Sequence, residues 1–170
     1  TVKDNNGNST VAFASRYGHA GCIDKLAIGG ADVNAGDITD GFTPLILAAA
    51  NEWPECVNAL IAAGAEVNQC NTSLTTAPIA AVDGVNPDCI TALIKAGANL
   101  NAQDPAGRTA LMYTAMGDNV DVNTLIGAGA ALDVKDRAGY MALMHAAFTG
   151  EATSVNALIA AGADVSVMNV

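Results

Sequence analysis

Aromatic side chains and basic residues are both scarce in this chain of 170 residues. Phe, Trp and Tyr make up 4% of the residues, although 51% are hydrophobic, so the core must be built from Ala, Leu, Ile and Val. Lys and Arg number 7 against 17 Asp and Glu, which gives a formal net charge of -10. Because this charge repels phosphate backbones and anionic lipid surfaces, we expect no nucleic-acid partner.

Long apolar runs are absent as well. No uninterrupted apolar stretch approaches the roughly 20 residues that span a bilayer, and residues 1–8 are polar. We therefore expect a soluble, cytoplasmic chain that does not insert into membranes.

The groups that carry enzymatic chemistry are few and scattered. The two histidines, His19 and His145, lie far apart in the sequence, and neither has a serine or cysteine arranged with it as a catalytic pair. The chain has no glycine-rich phosphate loop, no clustered metal ligands and no C-x-x-C spacing. The sequence thus predicts no catalytic residues, no cofactor and no metal site.

The sequence does contain a nine-residue motif that occurs five times: LAIGGADVN, LIAAGAEVN, LIKAGANLN, LIGAGAALD and LIAAGADVS. Its leading leucines are Leu26, Leu60, Leu93, Leu125 and Leu158, so the steps are 34, 33, 32 and 33 residues. A period this constant indicates one supersecondary unit that is copied along a solenoid.

Three of the four cysteines follow the same period. Cys22, Cys56 and Cys89 each lie four residues before a leading leucine, and equivalent positions in adjacent repeats are too far apart for a disulfide. We expect all three to be small buried packing residues. Cys70 lies outside the series, in a predicted turn, where its thiol is expected to be exposed.

Each period contains the same helix boundaries, which are clearest in the second copy. Thr43 is predicted to cap a first helix that has Pro44 at its first position. Trp53 and Pro54 separate that helix from a second one, which Gly64 closes in a left-handed conformation. The polar stretch after the glycine is expected to be extended and then to turn.

These features together resemble the ankyrin repeat family, whose pattern is roughly D-x-x-G-x-T-P-L-H-x-A-A, a second helix, and then G-A-D-V-N. The resemblance implies an all-α ankyrin-repeat solenoid of helix-turn-helix units joined by short β-hairpin-like loops. It predicts one domain over 1–170, with repeats at about 1–34, 35–68, 69–101, 102–133 and 134–170. It also implies a protein-recognition module without chemistry of its own.

The copies depart from the family pattern in places. The fourth repeat is one residue short, which predicts an irregularity near Gly117, Asp118 and Asn119, and the second has an extra residue around 38–40. Apolar residues remain in the terminal copies, where a capped solenoid has polar ones. This pattern predicts a piece of a longer array, or ends that neighbouring parts cover.

The aromatic residues fall outside the repeated framework, and six of the seven map to the hairpin tips and first helices that line the groove of ankyrin repeats. Because aromatic and arginine side chains supply most interface energy, we predict a partner-binding strip. Its members are Phe13, Arg16, Tyr17, Phe42, Leu47, Arg108, Tyr113, Met116, Tyr140, His145 and Phe148. In the alternative interpretation, several of these rings only cover alanine-rich helices.

The expected partner is another protein with a basic or apolar segment, because the chain itself is acidic. Two other functions stay open. The chain could be the recognition or regulatory segment of a larger enzyme, channel or effector. It could also be a structural spacer, or an array that associates with itself by stacking its apolar ends.

Overall fold

The computed structural model describes residues 9–37, 40–82, 84, 86–117 and 122–166. Within these residues the chain is all-helical, with ten short helices in five consecutive pairs and no regular strand. The helices are α1 (Thr10–Arg16), α2 (Ala20–Ile28), α3 (Pro44–Ala50), α4 (Pro54–Ala62), α5 (Ala77–Val82), α6 (Pro87–Lys95), α7 (Ala110–Met116), α8 (Val122–Gly127), α9 (Ala142–Thr149) and α10 (Ala152–Ala160). None of them is long and apolar enough to cross a membrane.

Side-chain caps fix several of the helix starts. The Thr43 hydroxyl accepts the Ile46 backbone N–H at 3.2 Å, and Pro44 occupies the first turn of α3, as predicted. Asn86 caps α6 in the same way by accepting the Asp88 N–H at 3.0 Å. These caps satisfy backbone donors that a helix start leaves without a partner inside the helix.

Each second helix is followed by a glycine with positive φ, and this prediction is confirmed in all five pairs. Glycine adopts this left-handed conformation at little cost, and a residue in this conformation ends the helix. The glycines and their φ angles are Gly30 (81°), Gly64 (88°), Gly97 (79°), Gly129 (85°) and Gly162 (92°).

Polar residues at the end of the nine-residue motif join one helix pair to the next. Their side-chain oxygen accepts a backbone N–H from the corresponding loop about one repeat later. The bonds run from Glu66 to Asn34 (2.8 Å), from Ala131 to Asn101 (2.8 Å) and from Asp164 to Asp133 (3.0 Å). We call these three bonds the loop ladder.

The arms between helix pairs are tight turns with little strand character. The one antiparallel bridge among the described residues joins Cys70 and Thr76. Backbone bonds close the turns: the Asp104 N–H donates to the Arg108 carbonyl at 3.0 Å, and the Asp136 N–H donates to Tyr140 at 2.9 Å. The arms are therefore hairpin-like in path, as predicted, but they do not form a sheet.

The chain divides into two compact units, Thr1–Ala98 and Asn99–Val170. In the N-terminal unit the first helices α1, α3 and α5 pack side by side, and the second helices α2, α4 and α6 form another layer. Large apolar side chains fill the space between the layers, namely Val11, Ile23, Leu45, Ile46, Leu60, Ile90 and Leu93.

The C-terminal unit repeats this arrangement with two helix pairs. Helix α7 packs on α9, and α8 packs on α10. Its fully buried side chains are Leu111, Met112, Leu125, Met141 and Leu158. The core of both units is thus aliphatic, as the scarcity of aromatics requires.

The chain's one tryptophan joins the first two helix pairs. The Trp53 indole N–H donates to the Arg16 carbonyl at 3.1 Å. Its ring lies over Gly18, where an added Cβ would approach the indole to 2.8 Å. Trp53 lies in the loop before α4, as predicted. It packs on the preceding loop at Gly18, because a side chain at that position would collide with the indole ring.

The prediction for the cysteines is correct for three and wrong for one. Cys56 and Cys89 are buried, and burial, together with nearby carboxylates, raises the pKa of each thiol to about 11. Cys70 is exposed, as expected. Cys22 is also exposed, because the described residues place no helix pair before α1 and α2 to cover it.

Two expected irregularities fall at or next to undescribed positions. Helix α7 ends at Met116, and Gly117 after it has an extended backbone, but Asp118 and Asn119 lie outside the described residues. The extra residue of the second copy is predicted around 38–40, of which Ile38 and Thr39 also lie outside the described residues.

Candidate functional site

The predicted strip is distributed over both units, and each unit holds a group of its members. The N-terminal group has five of them, and the C-terminal group has six. We describe the two groups separately.

Phe13 and Tyr17 are brought together on α1. Their rings stack with centroids 6.0 Å apart and an interplanar angle of 27°. Both are well exposed, at 42% and 57%, and Arg16 beside them is also exposed. The two rings line an open apolar groove of about 540 Å³ together with Cys22 and Leu26 of α2.

Phe42 and Leu47 are less available than predicted. Phe42 is half-buried in its hairpin, where its carbonyl accepts the Asp37 N–H at 3.2 Å. Leu47 is only 5% exposed, because α3 packs between α1 and α5. Leu47 therefore presents almost no surface. The prediction that it belongs to the strip is wrong, because it is a core residue.

In the C-terminal unit a hairpin aspartate connects its own turn to a ring on α7. One carboxylate oxygen of Asp104 accepts the N–H groups of Ala106 and Arg108, each at 2.8 Å. The other oxygen accepts the Tyr113 hydroxyl at 2.5 Å. Asp104 thus holds both the turn and the aromatic ring nine residues later.

Asp136 does the same in the next hairpin. Its Oδ1 accepts the N–H groups of Ala138 and Tyr140 at 2.9 Å, while its Oδ2 lies 2.9 Å from His145 Nε2 on α9. His145 is 7% exposed and Asp136 is 8% exposed. His145 is therefore a buried residue that contacts the hairpin through Asp136. The prediction that it lies on the partner-binding surface is wrong.

Arg108 lies between these two aspartate–ring pairs. Its Nε is 3.9 Å from Asp136 Oδ2, and its guanidinium carbon lies 5.8 Å from the centroid of the Tyr113 ring. The Tyr140 ring is 5.6 Å from the His145 ring, tilted by 50°. Four predicted residues thus form one connected group across α7 and α9, and we call them, with the two aspartates, the hairpin cluster.

The pKa shifts in the hairpin cluster determine the protonation states of Asp136 and Tyr113 at neutral pH. Burial raises the pKa of Asp136, but hydrogen bonds from the Tyr140 N–H, the His145 ring and the Ala138 N–H outweigh it, so the pKa is lowered overall. Burial and the bond to Asp104 raise the pKa of Tyr113. At neutral pH Asp136 is therefore ionised and Tyr113 is a neutral donor.

Met116 and Phe148 extend the C-terminal group along the first helices. Met116 is half-buried on α7, whereas Phe148 on α9 is 88% exposed. An exposed ring of this kind offers a large apolar area to a partner. Among the described residues, no group of His, Cys, Asp or Glu side chains could hold a metal ion.

Three residues of these surfaces were not singled out from the sequence. Asp104 and Asp136 were grouped with turn and surface acids, although each precedes a hydrogen-bonding ring by nine residues. Leu74 is 47% exposed and has a φ of 54°. It occupies the hairpin position where the C-terminal unit has glycine, and that substitution was the only hint in the sequence.

Comparison with known proteins agrees with this architecture. The family described as ankyrin repeats (three copies) matches residues 1–71 and 78–169 of the chain. A glycerophosphocholine phosphodiesterase, gde1 of Schizosaccharomyces pombe (strain 972 / ATCC 24843), is 37% identical over 79 residues. That match covers 46% of this chain and 7% of the relative, so the chain spans a small part of the relative's length.

Proposed function

Because the chain belongs to the ankyrin repeat family, we propose that it is a non-enzymatic recognition module that binds another protein. The binding surface consists of hairpin tips and exposed first-helix side chains. We further propose that the five helix pairs are five repeats of one domain over 1–170, within a longer array. The proposed boundaries are about 1–34, 35–68, 69–101, 102–133 and 134–170.

The hairpin cluster is the observation that supports binding most directly. Arg108, Tyr113 and Tyr140 are residue types that dominate interface energies. Asp104 accepts the Tyr113 hydroxyl, the Arg108 side chain lies against Asp136 and the Tyr113 ring, and the Tyr140 ring lies against His145. Side chains that are already ordered lose less conformational entropy when a partner binds. Phe148 adds an exposed apolar ring on the adjacent helix.

The charge distribution supports a basic partner segment with apolar anchors. Residues 26–94 contain no Lys or Arg, whereas they contain eight Asp and Glu. A basic partner would be steered toward such a surface, so its association rate should fall as salt concentration rises. A rate that does not depend on salt would contradict this assignment of the partner.

Binding is tested by proximity capture with the chain as bait, followed by titration of the captured protein. Tyr113→Ala, Tyr140→Ala and Phe148→Ala should each weaken binding by more than about 1 kcal/mol. Ile159→Ala is the matched control, because Ile159 is exposed but lies on a second helix of the same unit.

The alternative role of the rings is to cover the helices beneath them. In that case the three alanine variants would leave affinity unchanged and lower the melting temperature. Phe148, at 88% exposure, separates the two roles best, because its removal should hardly affect folding.

The single-domain proposal has its own test in equilibrium unfolding. Trp53 fluorescence reports on the N-terminal unit, and far-ultraviolet circular dichroism reports on helices of both units. Coincident urea transitions would support one cooperative domain. Two separate transitions would show two domains.

The free thiols support a reducing compartment, and we propose the cytoplasm. All four cysteines are unpaired, and Cys22 and Cys70 are exposed. A fluorescent fusion of the complete parent protein, imaged with compartment markers, tests this location. Accumulation in the secretory pathway would contradict it.

A second candidate is that the chain is a recognition or regulatory segment of a larger polypeptide such as an enzyme. The similarity to 7% of a phosphodiesterase favours it, since the remaining 93% of that relative lies outside the match. Sequencing the parent reading frame tests this candidate. A frame that encodes only these repeats would exclude it.

A further inference from the structure

Among the described residues, two that are not glycine have a positive φ, namely Glu52 at 62° and Leu74 at 54°. A residue with a Cβ is strained in this left-handed region, because the Cβ crowds the backbone. Glu52 is half-buried and its side chain lies against Gly84, so its conformation is accompanied by a contact within the fold. Leu74 is 47% exposed, so burial offsets less of its strain.

The hairpin of residues 69–75 imposes this conformation on Leu74. Asn71 Oδ1 accepts the N–H groups of Ser73 at 3.0 Å and Thr75 at 2.8 Å. The Leu74 N–H donates to the Asn71 carbonyl, and the Asn71 N–H donates to the Thr75 carbonyl, each at 3.0 Å. Strained residues persist where surrounding bonds hold them in place, and they cluster at functional sites.

The other hairpins have glycine at the position of Leu74. Gly41, Gly107 and Gly139 have φ angles of 68°, 81° and 83°, a conformation that glycine adopts at little cost. A glycine would therefore satisfy the backbone of the 69–75 hairpin as well. The requirements of this turn do not explain the leucine side chain.

The tip of this hairpin is an exposed surface in the middle of the array. Two helix pairs precede it and three follow it, so its exposure does not depend on where the sequence begins or ends. Thr72, Ser73 and Leu74 are its exposed residues, and we call them the Leu74 tip. The Asp40 carbonyl accepts both the backbone N–H and the hydroxyl of Thr72 at 2.9 Å. Because the backbone is already fixed, a partner that binds here loses little entropy in ordering it.

The charge around the Leu74 tip is opposite to that of the C-terminal hairpins. Residues 35–42 and 69–75 contain Asp37 and Asp40 and no Lys or Arg, for a balance of −2. Residues 102–108 and 134–140 contain three basic residues and two aspartates, for a balance of +1. Charge complementarity thus favours a basic partner segment at the hairpins of the N-terminal unit.

We propose that Leu74 is an apolar anchor for the partner, and that the partner presents to the Leu74 tip an apolar side chain flanked by Lys or Arg. The apolar side chain covers the exposed part of Leu74, and the flanking cations lie over the acidic hairpin of residues 35–42. This inference rests on the proposed recognition function. It adds a binding site in the N-terminal unit that the predicted strip did not contain.

The probes for this site are three fluorescent peptides of about twelve residues, titrated with the complete chain and followed by fluorescence anisotropy. The first has leucines flanked by lysines, the second has serine in place of leucine, and the third has glutamate in place of lysine. The first should bind the wild-type chain at least about tenfold more tightly than either of the others.

Substitutions of Leu74 test the anchor, because folding and binding make opposite demands on this position. Leu74→Gly and Leu74→Asn remove the apolar side chain and tolerate the left-handed backbone. Each should raise the melting temperature by about 1–2 °C. Each should also raise the dissociation constant of the first peptide at least about fivefold. Leu74→Met keeps an apolar side chain and should keep the affinity, and Ser73→Ala, at the exposed neighbour, is the matched control and should change neither quantity.

Three results would overturn the proposal. They are wild-type binding that does not favour the first peptide, affinity that survives both Leu74→Gly and Leu74→Asn, and a melting temperature that both substitutions lower. The last result would assign the leucine to the stability of its own hairpin.

Failure of the Leu74 anchor is distinguishable from failure of the proposed function. Tyr113→Ala, Tyr140→Ala and Phe148→Ala change the C-terminal unit and are measured with the captured protein. If they weaken its binding while the Leu74 variants bind it and the first peptide like wild type, the recognition function stands and the anchor is wrong. If no protein is captured, the proposed function fails whatever the peptides show.

Discussion

The two units connect their hairpins to their first helices in different ways. In the C-terminal unit, Asp104 and Asp136 each bond to a ring on the following helix, Tyr113 and His145. In the N-terminal unit the equivalent helix positions hold Leu47 and Ala80, whose side chains have no hydrogen-bonding group. The helix position that carries a hydrogen-bonding ring in the C-terminal unit thus carries an aliphatic side chain in the N-terminal unit.

This difference bears on how each surface is kept in shape. The hairpin residues of the N-terminal unit, Asp37 and Asn71, still accept N–H groups of their own turns. In the C-terminal unit the corresponding carboxylates also position Tyr113 and His145. A substitution in a buried polar network leaves other buried groups without a partner, so single substitutions in the hairpin cluster should be costly.

The largest effect is expected from Asp136→Ala. It removes a buried carboxylate that accepts two backbone N–H groups and bonds to His145, so the free energy of unfolding should fall by about 3 kcal/mol. Asn71→Ala, which removes a neutral acceptor of two backbone N–H groups, should cost only about 1 kcal/mol. Urea unfolding of both variants measures the difference, and equal losses would remove the contrast between the units.

Acid should abolish part of the same stabilisation. The pKa of Asp136 is lowered in the folded chain, so its contribution is present above the unfolded pKa, near 4, and is lost as pH falls through the folded pKa. The stability of wild type relative to Asp136→Asn should therefore shrink as urea unfolding is followed from pH 7 to pH 3. A constant difference over this range would show that the ionised form is not what stabilises the hairpin.

Gly107→Ala should lower the free energy of unfolding by about 2 kcal/mol. Gly107 has a φ of 81°, and an added Cβ would lie 2.8 Å from the Arg137 backbone nitrogen. That nitrogen also donates to the Ala106 carbonyl at 2.9 Å, so it cannot move away without losing a bond. Thermal unfolding checks the prediction, and a neutral result would mean that the two hairpins are not closely packed.

Tyr113→Phe should cost about 1 kcal/mol, because Asp104 loses one hydrogen bond but keeps its two backbone donors. Alkaline titration followed by phenolate absorbance gives a second measurement. Since the pKa of Tyr113 is raised, the variant should lack a phenol that ionises above about pH 10. Loss of a phenol that ionises at lower pH would contradict the bond to Asp104.

The smallest effect, and the opposite sign, is expected from Leu74→Gly. Leu74 has a φ of 54° at the position equivalent to Gly107, and its exposed side chain contributes little burial. Relief of the left-handed strain should exceed the entropic cost of glycine, for a gain of about 0.5 kcal/mol. A decrease in melting temperature would instead show that the Leu74 side chain stabilises the hairpin.

The helices and their boundaries were predictable because their determinants are local. Thr43 before Pro44, Asn86 before Pro87 and Gly64 after α4 each act on backbone groups within a few residues. Such determinants recur with the repeat and can be identified in one sequence. The family, too, followed from the period and from these residues.

The candidate surface was only partly predictable, because exposure depends on neighbours outside each repeat. Leu47 and His145 share a helix position with the exposed Phe13, yet a preceding helix pair buries both. Cys22 and Cys56 share another position and differ for the same reason. Periodicity shows which positions are equivalent, but not which of them lack a neighbour.

The aspartate–ring links were missed for a different reason. Asp104 and Asp136 occupy turn positions where an aspartate usually accepts N–H groups of its own turn. The local sequence therefore gives no sign that either side chain also binds a ring. The rings also lie outside the repeated framework. Only the spacing of nine residues, shared by Asp104–Tyr113 and Asp136–His145, joins the two observations.

Two bonds of the loop ladder lie in the C-terminal unit, and they should contribute to its response to a pulling force. These two bonds, between Asn101 and Ala131 and between Asp133 and Asp164, each consist of one side-chain acceptor and one backbone donor. They follow one another along the chain, so tension passes through them in series and the weaker one opens first. Rupture should therefore proceed one helix pair at a time, and each step would release about 110 Å of extended chain.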